Sequence, residues 1–120
     1  MIAFLFAAVL TFHPIQIIQM ARETCGHWEK VHTHVEVDGW VTYKAREDDG
    51  DWHLRICDDQ AIHTMNRLRC IVAEIIPALP LKPPKVGDHV RVRGIYRFDA
   101  EEPNHGWAEV HPVLQIEVLP

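Results

Sequence analysis

Five segments of the chain alternate between apolar and polar residues, and this pattern restricts the fold more than any other feature of the sequence. Such a period of two places successive side chains on opposite faces of a β-strand. The predicted strands cover residues 31–43, 52–57, 70–76, 89–98 and 107–119. An acidic turn at 47–51, a proline-rich loop at 78–84 and the turn 86–88 separate them, because glycine, proline and aspartate favour turns.

Five short strands without a long helix favour a small closed barrel, since closure removes the unpaired strand edges. The phrase VGDHVRVRG, residues 86–94, resembles the approach to the fourth strand of many OB-folds. We therefore expect an all-β fold in which residues 31–119 form a five-stranded OB-type barrel. An SH3-like barrel is the alternative.

The alternation also assigns side chains to the two faces of each strand. In the first strand, Tyr43 is predicted to face the core, and Gly39 to mark a bulge or bend. In the last strand, Leu114, Ile116 and Val118 are predicted to face the core. The connection 58–69 is expected to hold a short helix capped by one of its first two aspartates.

The N-terminal segment differs from the rest of the chain. Residues 1–12 form one apolar run, shorter than a membrane span but of a length typical of a secretory signal. No Lys or Arg precedes it, and no small-x-small cleavage site follows. We expect an exported or membrane-tethered protein, with an apolar segment at 1–21 that is dispensable for folding and a linker at 22–30. The alternatives are a helix packed on the barrel, a longer signal upstream, and a cytoplasmic location.

The net charge of −5 argues against strong binding to phosphate backbones. An OB barrel can nevertheless bind single strands through aromatic stacking beside a basic groove. The residues that could form such a surface are Trp40, Arg55, Arg91, Arg93 and Arg97. A single-stranded nucleic-acid binder is therefore an alternative function that the net charge disfavours.

Three cysteines are present, and none are spaced as in a C-x-x-C zinc site. Cys57 and Cys70 end the second predicted strand and begin the third, so they are predicted to face each other on the outward side. In an oxidising compartment they could form a disulfide, and Cys25–Cys70 is the competing pair. Because opposed residue numbers sum to a constant in an antiparallel pair, the same register places His53 opposite Glu74.

Strand five lies beside strand three in an OB barrel, so the outer face should also bring Glu109 and His111 close to His53 and Glu74. Imidazoles with carboxylates suit a Zn²⁺ or Mn²⁺ site or general acid–base chemistry. Polar pairs that only stabilise the sheet are the alternative. An acid–base set of Arg55, Glu74 and Asp51 would suit a nuclease, although their spacing does not single them out. The candidate ligand-binding residues are Trp40, His53, Arg55, Glu74 and Trp107, the last beside a glycine in a possible binding lip.

Three phrases together resemble a group of small, mostly exported bacterial OB-like proteins: DGDWHL (49–54), AEIIP (73–77) and EVHPVLQIE (109–117). The resemblance implies an OB-type fold and export, and implies no particular activity. The sequence thus predicts an OB-fold binding module for an unknown small molecule or protein, non-enzymatic, with membrane contact only through the N-terminal segment. A metal-dependent hydrolase or nuclease that uses the His53, Glu74 and His111 face is the alternative.

Overall fold

The computed structural model describes residues 11–22, 33–99 and 107–120. Its elements in chain order are β1 (His13–Pro14), α1 (Ile17–Ala21), β2 (His34–Arg46), β3 (Trp52–Cys57), β4 (Cys70–Ile75), β5 (His89–Asp99) and β6 (Trp107–Val118). The five long strands match the predicted ones, β3 with the same bounds. The predicted start of the first strand, at residues 31 and 32, lies outside the described residues.

Strands β2 to β6 form a closed barrel. They follow one another in the order β2-β3-β4-β6-β5, and β5 pairs with β2 to complete the ring. All neighbours are antiparallel except β4 and β6, which are parallel. This is the topology of an OB-type barrel, and the fold predicted from the alternating pattern is confirmed.

The barrel interior is filled mainly by valine and isoleucine side chains from every strand. Fully buried members include Val37 on β2, Ile56 on β3, Ile71 on β4, Val92 on β5 and Val110 on β6. Burial of such side chains is the main favourable term in folding, at roughly 25 cal/mol for each Å² of apolar surface removed from water. Alternation along β3 and β5 predicts that Leu54, Ile56, Val90, Val92 and Tyr96 face inward, and all five are buried.

The predicted inward position of Tyr43 is wrong. Val41 pairs with Ile56 and Tyr43 with Arg55, so Thr42 is an extra residue in β2 and reverses the alternation after it. Tyr43 is exposed as a result. The bulge lies at Thr42 and not at Gly39, whose pairing with β5 is regular.

The last strand departs from strict alternation as well. Tyr96 pairs with Val110 and Gly94 with Val113, so β6 has one more residue than β5 in this stretch, beside the cis peptide bond between His111 and Pro112. Val113 is consequently buried, which the sequence pattern did not predict. Ile116 packs against the core as predicted and Leu114 is half-buried, whereas the prediction for Val118 is wrong because this residue is exposed at the end of the barrel.

Residues 15–20 of the N-terminal segment contribute to the core. β1 pairs in parallel with the start of β2, and Ile15, Ile17 and Met20 are buried in the same hydrophobic cluster as the barrel strands. A Cβ atom on Gly39 would come within 2.5 Å of Ile17 Cδ1, so this glycine allows the helix to pack directly on the β2 backbone. This packing disagrees with the expectation that residues 1–21 are dispensable for folding.

No helix among the described residues is long and apolar enough to cross a membrane. The export prediction for the N-terminal segment remains a prediction, and its first ten residues lie outside the described part of the chain.

The connection 58–69 contains turns and bends, and the predicted short helix is absent from it. The side chain of Asp59 accepts a hydrogen bond from the Ala61 backbone amide at 2.8 Å, which favours a local turn over a helix. Cys57 and Cys70 pair at the base of this connection, as the predicted register requires, and form a disulfide with a Cα–Cα distance of 4.0 Å. Both cysteines are buried rather than outward-facing.

Candidate carboxylate–imidazole site

Glu74 lies between two histidines on the outer face of the barrel. His53 on β3 is paired with Glu74 on β4, as the register predicted, and its Nδ1 atom is 3.3 Å from Glu74 Oε1. Strand β6 runs parallel to β4 on the other side and carries His111, whose Nδ1 atom is 3.0 Å from Glu74 Oε2. A single carboxylate therefore contacts two imidazoles, one through each of its oxygens.

Three further acids surround this centre. Glu47 Oε1 is 3.2 Å from His53 Nδ1, Asp51 Oδ2 is 3.7 Å from His111 Nε2, and Glu109 Oε2 is 3.7 Å from His111 Nδ1. We refer to the following six residues as the Glu74 cluster: Glu47, Asp51, His53, Glu74, Glu109 and His111.

The turn between β2 and β3 places two of these acids. The Glu47 amide donates to the Asp51 carbonyl at 2.8 Å, and the Gly50 amide donates to the Glu47 carbonyl at 2.9 Å. Gly50 has a φ of 92°, in the region that glycine adopts without steric strain. The turn thus closes tightly over the end of β3, so that side chains at both of its ends reach the same face.

Three of the four acids lie deeper than the imidazoles. The side chains of Glu74, Asp51 and Glu109 are only 12%, 10% and 8% exposed. Those of His53 and His111 are 31% and 33% exposed. The cluster therefore has a floor of three carboxylates and a rim that faces solvent, formed by the two imidazoles and by Glu47, whose side chain is 43% exposed.

The electrostatics of the cluster follow from this arrangement. The hydrogen bond with Glu74 raises the pKa of His53 above its usual value, and the same hydrogen bond lowers the pKa of Glu74. Burial raises the pKa of Asp51, and the negative charges of Asp49 and Glu74 add to this effect. Burial also raises the pKa of Glu47, which shares a hydrogen bond with Glu74. The contact between protonated His53 and ionised Glu74 is therefore favourable. Glu47 and Asp51 instead lie close to other carboxylates, which disfavours their ionised forms.

The donor atoms form two groups that meet at Glu74. Ligand atoms of Glu47, His53 and Glu74 all lie within 4.8 Å of one another, and the same is true of Asp51, Glu74 and His111. Mixed imidazole and carboxylate donors suit divalent transition ions such as Zn²⁺ and Mn²⁺. The strands involved, β3 and β4, are the second and third of the barrel, whose outer face is the usual ligand-binding surface of an OB-fold.

The other predicted ligand-binding residues are distributed over the barrel. Arg55 places its guanidinium over the ring of Tyr43 at 4.9 Å. The Tyr43 ring makes a T-shaped contact with the ring of His53, with centroids 6.2 Å apart, so it adjoins the Glu74 cluster. Trp40 stacks on His89 with ring centroids 4.1 Å apart. It lines a groove of about 660 Å³ beside α1, and none of the residues lining this groove belongs to the cluster.

Trp107 is half-buried at the start of β6, where it pairs with Asp99. The predicted binding lip, which includes His105 and Gly106, lies outside the described residues.

The arginines predicted for a nucleic-acid surface are held by other groups. Arg91 donates to both carboxylate oxygens of Asp38, at 2.8 and 2.9 Å, and Arg93 donates to Glu36 at 2.7 Å. Arg97 donates to the His111 carbonyl oxygen at 2.9 Å. Phosphate binding would have to compete with these contacts, two of which neutralise the arginine charge.

The sequence pattern placed four members of the cluster on one outer face, considered Asp51 only in a separate acid–base set with Arg55 and Glu74, and missed Glu47. It assigned the acidic run 47–51 to a turn, which is correct, but considered only Asp51 from that run as a functional acid. Proximity in the sequence could have revealed Glu47, because the turn that carries it leads directly into the strand that carries His53. An acid at each end of a tight turn lies close to the first outward residue of the following strand.

No protein-family model matches this sequence, and no curated protein matches it. Among solved structures, the chain is similar to asparaginyl-tRNA synthetase from Pyrococcus horikoshii, with a TM-score of 0.51 and 19% identity over 72% of this chain. The chain spans only 19% of the length of that synthetase. A small single-stranded DNA-binding protein from Streptomyces coelicolor aligns with 71% of this chain and 90% of its own, at 14% identity and a TM-score of 0.47. At this identity, the likeness to the synthetase concerns the fold alone.

Proposed function

We propose that this OB-type binding module binds divalent metal, Zn²⁺ or Mn²⁺, at the Glu74 cluster. The observation that carries the proposal is the position of Glu74, whose two carboxylate oxygens lie 3.3 and 3.0 Å from the Nδ1 atoms of two different histidines. Metal-binding histidines and carboxylates are commonly arranged so that each orients the other. The side chains project from three strands of the barrel and from the tight turn before β3, which hold the donor atoms in place without a ligand.

The charge balance of the cluster also favours a bound cation. It contains four carboxylates and only two imidazoles, so acidic groups outnumber basic ones among its members. Three of the acids, Asp51, Glu74 and Glu109, are mostly buried. Burying unbalanced charge is costly, because the protein interior solvates it poorly. A divalent cation would lower this cost, whereas a network of polar pairs alone would leave it.

The test is a titration of metal-stripped protein with Mn²⁺, followed by isothermal titration calorimetry. Mn²⁺ is the better probe because it prefers oxygen and nitrogen donors and avoids cysteine thiols. We expect saturable binding that Glu74→Gln weakens by at least about tenfold, because loss of a residue that only orients a metal ligand already costs about 10–100-fold in affinity. The matched control is His63→Ala, which removes an exposed histidine of the connection 58–69. Absence of binding, or equal loss in the control, would refute the proposal.

A metal-dependent hydrolase or nuclease remains the alternative for this site. Its support is the exposed rim formed by His53 and His111, which would leave coordination positions open to a substrate or water, as catalytic metal sites require. The test is hydrolysis of an activated phosphodiester by the Mn²⁺-loaded protein. Activity that disappears in Glu74→Gln would support the enzyme, and metal binding without activity would support the binding module.

Single-stranded nucleic acid is a weaker candidate ligand. The fold similarity to part of a tRNA synthetase is the observation in its favour, while the net charge of −5 and the paired arginines Arg91 and Arg93 oppose it. Fluorescence anisotropy with a labelled single-stranded oligonucleotide at low salt tests it. We expect no salt-dependent binding, because backbone contacts require free cationic side chains.

We further propose that the protein functions in an oxidising compartment after export. The disulfide between Cys57 and Cys70 supports this, since such bonds persist mainly in secreted or periplasmic proteins. Fractionation of cells that produce the tagged full-length protein tests it, and recovery in the cytoplasm with free thiols would contradict it.

A further inference from the structure

We propose that the Glu74 cluster holds two divalent ions rather than one, and that the Glu74 carboxylate bridges them. The first ion would be bound by Glu47, His53 and Glu74 Oε1. The second would be bound by Asp51, His111 and Glu74 Oε2. This inference rests on the proposed metal-binding function and specifies the number of ions and the role of each ligand.

The separation of the two histidines is the geometric argument for two ions. Each histidine contacts a different oxygen of Glu74, at 3.3 Å for His53 and 3.0 Å for His111. Within the described part of the chain, the donor atoms that lie within 4.8 Å of one another form two groups, and neither contains both histidines. A single ion would therefore be bound by only one of the two imidazoles, and the other imidazole would contact carboxylates without binding metal.

The two groups have equivalent composition. Each consists of one imidazole, one acid from the turn before β3, and one oxygen of Glu74. Glu109 lies beside the second group, 3.7 Å from His111 Nδ1, and has a side chain that is almost completely buried. This repetition on both sides of one carboxylate is the arrangement expected for a bridged pair of ions, which in two-metal sites lie about 3.5–4 Å apart.

The charge balance distinguishes one ion from two. Histidine must be neutral to bind a metal ion, so a loaded cluster contains four negative carboxylates and two neutral imidazoles. One divalent ion would balance only two of these four charges. Two divalent ions would neutralise the four carboxylates completely. The exposed rim leaves further coordination positions of both ions open to water or to an oxyanion ligand.

The experiment measures stoichiometry and magnetic coupling with Mn²⁺ alone as the probe. The full-length protein with its disulfide intact is dialysed against Mn²⁺, and bound metal is determined by elemental analysis. We expect two ions per chain and the electron paramagnetic resonance spectrum of a spin-coupled pair. His53→Ala and His111→Ala should each retain one ion with an uncoupled spectrum, and Glu74→Gln should weaken both sites. His63→Ala is the control and should retain both ions.

Each other result overturns the inference. One ion per wild-type chain, with an uncoupled spectrum, would establish a mononuclear site, so that the proposed metal-binding function would stand while the bridged pair would not. No bound ion would refute both. Two uncoupled ions that survive Glu74→Gln would place the metal elsewhere on the surface. The wild-type measurements decide these outcomes even if a variant fails to fold, which thermal unfolding would reveal.

Discussion

Replacement of Ile17 by alanine tests whether the N-terminal helix belongs to the folded barrel. Ile17 is 2% exposed, and its Cδ1 atom occupies the space that a side chain on Gly39 would need. Ile→Ala in a protein core costs about 2–5 kcal/mol, with the larger values where the site cannot collapse. A glycine on the facing strand has no side chain that could fill the cavity, whereas the five-residue helix can shift slightly. We therefore expect a loss of about 3 kcal/mol.

This loss is large for a small domain, whose total stability is typically about 5–15 kcal/mol. Urea unfolding, followed by tryptophan fluorescence with the disulfide kept intact, measures it. With a slope of about 1.5 kcal/mol per molar urea, the midpoint should fall by about 2 M. The slope should remain unchanged if the variant unfolds in the same two-state transition.

The adjacent Ile18 provides the matched control because its side chain is only half-buried, at the edge of the groove beside α1. Ile18→Ala should cost less than about 1 kcal/mol, since most surface substitutions lie near ±0.5 kcal/mol. If Ile17→Ala is no more destabilising than Ile18→Ala, the helix does not pack on the barrel in solution. Residues 1–21 would then be dispensable, as the sequence pattern suggested.

Two further predictions concern pH and redox state. In the metal-free protein, the raised pKa of His53 means that its contact with Glu74 stabilises the fold fully below the unfolded histidine pKa and that this contribution disappears as pH rises through the folded value. NMR titration of the His53 ring should show the raised pKa, and Glu74→Gln should lower it; an unchanged titration would contradict the contact. Reduction of the Cys57–Cys70 disulfide, which spans 13 positions, should cost about 3 kcal/mol through the entropy of the unfolded chain. Urea unfolding with and without dithiothreitol measures this, and non-reducing peptide mapping would reveal a Cys25–Cys70 bond instead.

The sequence determined the strands because alternation is a local property of the chain. Strict alternation of hydrophobic and polar residues specifies a strand and its buried face without knowledge of the neighbouring strands. The bounds predicted for β3 are those observed. The order of the strands around the closed barrel followed from the OB-type fold that these strands predict. The pairing of His53 with Glu74 followed from simple antiparallel arithmetic once Cys57 was placed opposite Cys70.

The tertiary structure alone decided the positions where a strand contains an extra residue. Thr42 turned Tyr43 outward, and the extra residue in β6 buried Val113, because a bulge reverses the alternation after it and depends on the partner strand. Gly39 was assigned to a bend from its sequence position. Its actual reason, the close approach of Ile17, involves two segments 22 positions apart and is invisible to any local pattern.

The candidate site shows the same division. Alternation indicated that His53, Glu74 and His111 lie on the outer face of the barrel, since each is on the polar side of its strand. It could not show that each oxygen of Glu74 contacts a different imidazole. Nor could it show that Glu47 lies beside His53 and Glu74 as a third donor. Those features depend on the parallel pairing of β4 with β6 and on the curl of one turn, which arise only when the barrel closes.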